Sequence, residues 1–122
     1  METFFDDRNH PKIKLAVGGA KQSNLLEAIL DTGFDGYLSL PINIAVTLGI
    51  ELTAVVAVEY ADGRTSQELV FSVRVDFDGK EKIVPATLTA GAEALAGTAL
   101  LADYELKLNF PKQKINLERV RK

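Results

Sequence analysis

Apolar and polar positions alternate along much of this chain, and the alternation is that of strands. Ile13, Leu15 and Val17 alternate with Lys12 and Lys14, which reads as a half-buried strand. Gly18-Gly19 breaks it, and a second strand runs from about Asn24 to Asp31, so the two form a hairpin. Pro41 then opens a short helical pattern with Ile42, Ala45 and Val46 on one side. Proline suits the first helical position, and Gly49 suits the stop just past the end. Leu52 to Tyr60 is rich in Val and Ala and leads into Asp62-Gly63, a strong hairpin signal. Leu69, Phe71, Val73, Val75 and Phe77 alternate with Val70, Ser72, Arg74 and Asp76, the cleanest period of two in the sequence. Asp78-Gly79 marks another hairpin, and Lys82 to Thr89 returns as a strand. Leu95-Ala96 forms a short buried strand ending at Gly97, followed by a helical turn around Ala99 to Asp103. Leu106, Leu108 and Phe110 then alternate with Lys107 and Asn109. Pro111-Lys112 turns the chain, and Ile115 with Leu117 closes it. Residues 1–11 read as an arm that stays loose unless a partner orders it. The prediction is one all-β, barrel-like domain over 1–122 with one or two short helices.

Composition narrows the function classes. The chain has 122 residues, 47% hydrophobic and 25% charged, which suits a single soluble domain with its own core. Its net charge of -3 does not favour nucleic acid, whose binding rests on basic side chains over phosphates. There is no Cys, hence no disulfide, no thiol nucleophile and no iron–sulfur cluster. The one His, His10, sits in a polar stretch and reads as a surface imidazole, so neither a zinc site nor a Ser-His-Asp triad is expected. No apolar run approaches the roughly 20 residues of a membrane span. The first twelve residues lack the apolar stretch of a signal peptide. The expectation is a cytoplasmic protein without cofactor or metal. Lys80, Lys82, Arg119, Arg121 and Lys122 read as solvated charges.

Candidate chemistry concentrates in Ala28-Ile29-Leu30-Asp31-Thr32-Gly33-Phe34-Asp35-Gly36. An acid at the end of a buried strand is poorly solvated and needs hydrogen-bond donors. Gly33 lets a ligand or another backbone come close, and Thr32 can donate and accept from the same turn. The plain reading is a strand-ending turn with Asp31 bonded to nearby amides. A calcium loop would place Asp31, Asp35 and Gly36 at its first, fifth and sixth positions. It fails because Gly33 and Ile42 stand where ligands are required.

Leu30-Asp31-Thr32-Gly33 resembles the active-site motif of the retropepsin-like aspartic proteases. The resemblance extends over about Ile13 to Leu117: a hairpin, Asp-Thr-Gly, a glycine-tipped hairpin like a flap at Tyr60 to Arg64, then Leu95-Ala96-Gly97 and a short helix. The strings Asp31 to Leu38 and Gly97 to Leu101 are similar to the small prokaryotic branch of that group. The resemblance implies a closed, retropepsin-like barrel acting as a twofold homodimer. Such proteases use two carboxylates sharing a proton. This chain has a single Asp-Thr-Gly, so the second aspartate would come from a second copy. The resemblance further implies that Asp31 is catalytic, that Thr32 bonds across the dimer and that Gly33 lies along the substrate backbone. Asp35 would meet the substrate through its amide. Tyr60, Ala61, Asp62 and Gly63 would close over an extended peptide, and Leu95, Ala96 and Gly97 would support the loop. The terminal strands could pair across the dimer.

Three positions depart from the viral members of that group. Phe34 replaces a small residue, Thr98 stands where an Arg would pair with Asp35, and the flap tip is polar, with Asp62 and Arg64 around Gly63. Two functions follow from the resemblance and its departures. One is an aspartic endopeptidase cleaving peptides with water activated between two copies of Asp31. The other is a catalytically silent dimeric peptide-binding or regulatory module of the same fold. A monomeric β domain in which Asp31 only caps a turn is a third.

Overall fold

The computed structural model describes residues 1–120, so Arg121 and Lys122 lie outside the described residues. Its strands are Thr3–Phe5 (β1), Pro11–Gly18 (β2), Ser23–Leu30 (β3), Leu38–Pro41 (β4), Glu51–Glu59 (β5), Thr65–Phe77 (β6), Lys80–Thr89 (β7), Ala94–Ala96 (β8), Tyr104–Asn109 (β9) and Lys114–Arg119 (β10). Ile42–Leu48 (α1) is the helix found among the described residues.

Eight strands join in the order β1-β2-β3-β8-β4-β7-β6-β5. Because β2 also pairs with β6, through Ala16↔Asp76 to Gly18↔Arg74, the run from β2 to β6 closes into a six-stranded barrel. Closure removes the inner edges that an open sheet would leave. Two neighbours are parallel, β3 with β8 and β4 with β7. β9 and β10 form a separate antiparallel ribbon. The period-2 patterns fill the barrel: Ile13, Leu15 and Val17 of β2 meet Val73, Val75 and Phe77 of β6, all at most 2% exposed. Burial of such side chains stabilises by about 1.5–3 kcal/mol each.

Both Asp-Gly signals mark hairpins, by different turns. Asp78 (φ 55°) and Gly79 (φ 75°) are both left-handed between paired Phe77 and Lys80, the two-residue turn whose twist suits adjoining strands. Around Asp62-Gly63 the loop is longer, running between paired Glu59 and Thr65. The Gly18-Gly19 break also has a cause. A Cβ on Gly19 would lie 2.4 Å from the Leu48 carbonyl, because the end of α1 accepts the N–H groups of Lys21 and Gln22.

Several expectations change. The N-terminal segment is not a loose arm. Thr3–Phe5 pairs with Pro11–Ile13, Phe5 packs on Phe110 with ring centroids 5.0 Å apart, and the Asp6 carboxylate accepts the N–H groups of Arg8 and His10. The polar run is therefore a turn closed on Asp6. Pro41 is the cap before α1 and the last residue of β4, a strand that the sequence pattern hides. The helix buries Ala45 and Leu48 and leaves Ile42 and Val46 exposed. Thr98 to Asp103 is a series of turns, so one helix forms where two were allowed. Among the described residues no helix is long and apolar enough to cross a membrane.

Candidate active site

Asp31 is the first residue beyond β3, where the strand runs out of the barrel wall. Its N–H donates to the Ala96 carbonyl at 2.9 Å, continuing the β3–β8 register of Leu30↔Ala96 by one more bond. The chain then turns sharply, with the Phe34 N–H donating to the Asp31 carbonyl at 3.2 Å. Asp31 Oδ1 accepts the Gly33 N–H at 2.9 Å. A Cβ on Gly33 would sit 3.2 Å from that oxygen, tighter than ordinary contact. The carboxylate is half-buried at the lip of the barrel, while Thr32 and Gly33 are exposed. Among the described residues the Thr32 hydroxyl has no hydrogen-bond partner.

A second turn, the one after β8, clasps this loop. Gly97 N–H donates to Tyr37 O at 3.0 Å, Thr98 N–H to Phe34 O at 2.8 Å and Ala99 N–H to Gly36 O at 3.2 Å. Backbones this close leave no room for a side chain. A Cβ on Gly97 would lie 2.2 Å from Gly36 O, 2.7 Å from Phe34 O and 2.6 Å from Phe34 Cδ2. The glycine is thus dictated by approach, not by a left-handed φ. The Phe34 ring lies over both Gly97 and Gly36 and fills the gap between the turns. Leu95 pairs with Ile29 on one side and Ser39 on the other, and Ala96 is fully buried.

Strand β3 is braced from both flanks. Lys12 of β2 stands opposite Ile29, and its ammonium lies 3.2 Å from Asp6 and 3.1 Å from Glu93, which precedes β8. The ion chain therefore spans the strand that carries Asp31. The His10 N–H, with further help from Lys12 and Arg8, holds the Asp6 carboxyl below the usual carboxylate range. The hydrogen bond to Glu93, with Asp6, raises the Lys12 ammonium.

The sequence-predicted residues divide into two groups. Asp31, Thr32, Gly33, Asp35, Leu95, Ala96 and Gly97 meet in the clasped loops. Tyr60, Ala61, Asp62 and Gly63 form the exposed tip of the β5–β6 hairpin, and the hydrogen bonds of that tip are internal. Tyr60 N–H donates to Arg64 O and Gly63 N–H to Tyr60 O, while Asp62 pairs with Arg64 Nε at 2.6 Å. The Asp62 carboxylate, which the resemblance places over a peptide, is bonded to Arg64 within the tip.

A cavity of about 350 Å³ beside the Asp31 loop was not foreseen from the sequence. Phe34 to Leu38 form one wall, Glu68 and Val70 of β6 a second, and Pro85 and Thr87 of β7 the third. Residues two apart on each strand share a face, which is why β6 and β7 each contribute such a pair. A larger open hollow of about 690 Å³ lies on the β9–β10 ribbon and shares no residue with the Asp31 loop. No group of three metal-ligating side chains occurs among the described residues.

No protein-family model matches the chain, and no curated protein matches its sequence. Solved structures do match its fold. A retropepsin-like aspartic protease from Rickettsia conorii aligns at a TM-score of 0.66 and 18% identity, covering 94% of this chain and 86% of that one. The EIAV protease complexed with the inhibitor HBY-793 aligns at 0.58 and 15% identity, covering 81% of this chain and 91% of that one. The fold is retropepsin-like.

Proposed function

We propose that the chain is a homodimeric aspartic endopeptidase in which Asp31 from two copies activates one water. The observation that carries this is the placement of Asp31: half-buried, one oxygen held by the Gly33 amide, on a loop clasped by the Gly97 turn. The likeness of the fold to aspartic proteases supports it.

The mechanism follows from the carboxylates. A single carboxylate cannot both take a proton from water and protonate the scissile carbonyl oxygen. Two brought together by a twofold axis share one proton and divide these tasks. The ionised Asp31 deprotonates the water as it attacks the peptide carbonyl, and the protonated one donates to the carbonyl oxygen. The first carboxyl then passes its proton to the nitrogen as the C–N bond breaks, while the other carboxylate takes one hydroxyl proton of the gem-diol, which leaves a carboxylic acid, an amine and the dyad with its single proton. The exposed Thr32 hydroxyl is available to bond across the axis. The β5–β6 hairpin covers an extended peptide, adding strand-like hydrogen bonds and excluding water.

Cleavage of a mixed peptide library, read by mass spectrometry from acid to neutral pH, tests the reading. Cuts by the wild type that vanish in Asp31→Asn are the expected result. Folded wild-type protein that makes no cut at any pH would overturn it.

The Phe34 ring favours a second reading. It occupies the space between Gly36 and Gly97 beside the loop. A silent peptide-binding module would use that surface without turnover, and peptide binding would survive Asp31→Asn with hydrolysis in neither form.

A further inference from the structure

We infer that the cavity between the Asp31 loop and strands β6 and β7 takes a long basic side chain of the bound peptide, with Glu68 as its specificity-determining residue. This rests on the peptide-binding reading above and adds the chemistry of what is bound.

The cavity itself is the starting point. Its volume of about 350 Å³ falls in the range of ligand pockets, and its walls are largely apolar: Phe34, Leu38, Val70 and Pro85. The charged groups of its lining are two carboxylates, Asp35 and Glu68. Among the described residues neither has a cationic partner. Arg64, the base just before β6, is held by Asp62 at the hairpin tip. Thr98 makes a backbone bond to Phe34 and brings no charge to Asp35.

The two features together select the ligand. An apolar side chain would satisfy the walls but would strip water from two carboxylates without replacing it, which is costly. An acidic side chain would add like charge. A short polar side chain would leave the apolar walls uncovered. Arg or Lys meets both demands, because the methylene stem lies along apolar surface while the charged head reaches a carboxylate. Arg adds planar hydrogen bonding to a carboxylate and stacking over aromatic faces such as Phe34. Asp35 belongs to the loop itself, whereas Glu68 lies on a barrel strand and is exposed, so it can be replaced without disturbing the Asp31 turn.

The test compares matched peptides in which Arg or Lys at each position is exchanged for citrulline or norleucine. At one position the basic peptide should be cut with kcat/KM about five- to tenfold above its neutral match, as for a partly desolvated ion pair. Glu68→Gln should reduce that ratio to near one, and Glu68→Lys should turn the preference towards acidic peptides. Asp31-dependent cutting with no basic preference, or a preference that Glu68→Gln leaves intact, would overturn the inference and leave the peptidase reading standing. If the folded wild type cuts nothing, the same peptides are titrated by fluorescence anisotropy. Binding of the basic peptide that weakens in Glu68→Gln keeps the inference without catalysis. Equal binding of basic and neutral peptides, or none, overturns it.

Discussion

Replacing Gly97 by Ala tests whether the clasp around the Asp31 loop is set by backbone contact. The added Cβ would stand 2.2 Å from Gly36 O and 2.7 Å from Phe34 O, where ordinary contact begins near 3.4 Å. Both obstacles are main-chain atoms, so no rotamer change relieves them. The turns must part by about 1 Å, and that movement opposes the bonds from Gly97, Thr98 and Ala99 to Tyr37, Phe34 and Gly36. Two or three hydrogen bonds weakened at about 1 kcal/mol each, added to an overpacking cost of about 1–3 kcal/mol, give about 3–6 kcal/mol. That is a large share of a domain's usual 5–15 kcal/mol. With a urea slope of about 2 kcal/mol/M, the midpoint should fall by about 2 M. Unfolding is followed by circular dichroism at several protein concentrations, because dimerisation would shift the midpoint. Gly91→Ala is the control: its Cβ would meet Thr89 Oγ1 at 3.4 Å, and its midpoint should stay within about 0.5 kcal/mol of wild type. A Gly97→Ala midpoint within about 0.3 M of wild type would refute the close-approach argument.

Two further predictions concern the loop and its brace. Asp6 has a depressed carboxyl, so its contribution to stability is present above the ordinary value of 3.8 and is lost as pH falls through the lower folded value. Asp6→Asn should therefore melt below wild type at neutral pH, with the gap closing below about pH 3.8; a gap independent of pH would sink the idea. Lys12, with a raised ammonium, works in the opposite sense: its contribution holds below 10.5 and is lost as pH rises through the raised folded value. Thr32→Ala removes a hydroxyl with no partner among the described residues, so monomer stability should change by less than about 0.5 kcal/mol. Dimer affinity, by sedimentation, should weaken about fivefold or more if the hydroxyl bonds across the axis.

The barrel was legible because its strands bury one face and expose the other. Val73, Val75 and Phe77 against Arg74 and Asp76 could hardly be read otherwise. Strand β4 escaped because Leu38, Ser39, Leu40 and Pro41 are all buried, which erases alternation. The N-terminal hairpin escaped because its closing element is a carboxylate accepting N–H groups two and four residues on, a polar pattern that reads as a tail. Asp31 and Gly97 were visible through their motifs. The cavity was not, because Glu68 is separated from Phe34 by more than thirty residues and shares a cavity with it only because β7 lies between β4 and β6 in the sheet.

The exposure of β5 has a consequence for handling the protein. It is an edge strand, and Leu52 to Val58 is an unbroken stretch of mostly β-branched and apolar residues without charge or proline. Such a segment is a template for strand addition between molecules, and here only Glu51 and Glu59 guard its ends. A partner or a bound peptide that covers the hairpin would also protect the chain from aggregating. A charge placed at exposed Val55 should therefore lengthen the lifetime of the protein in solution.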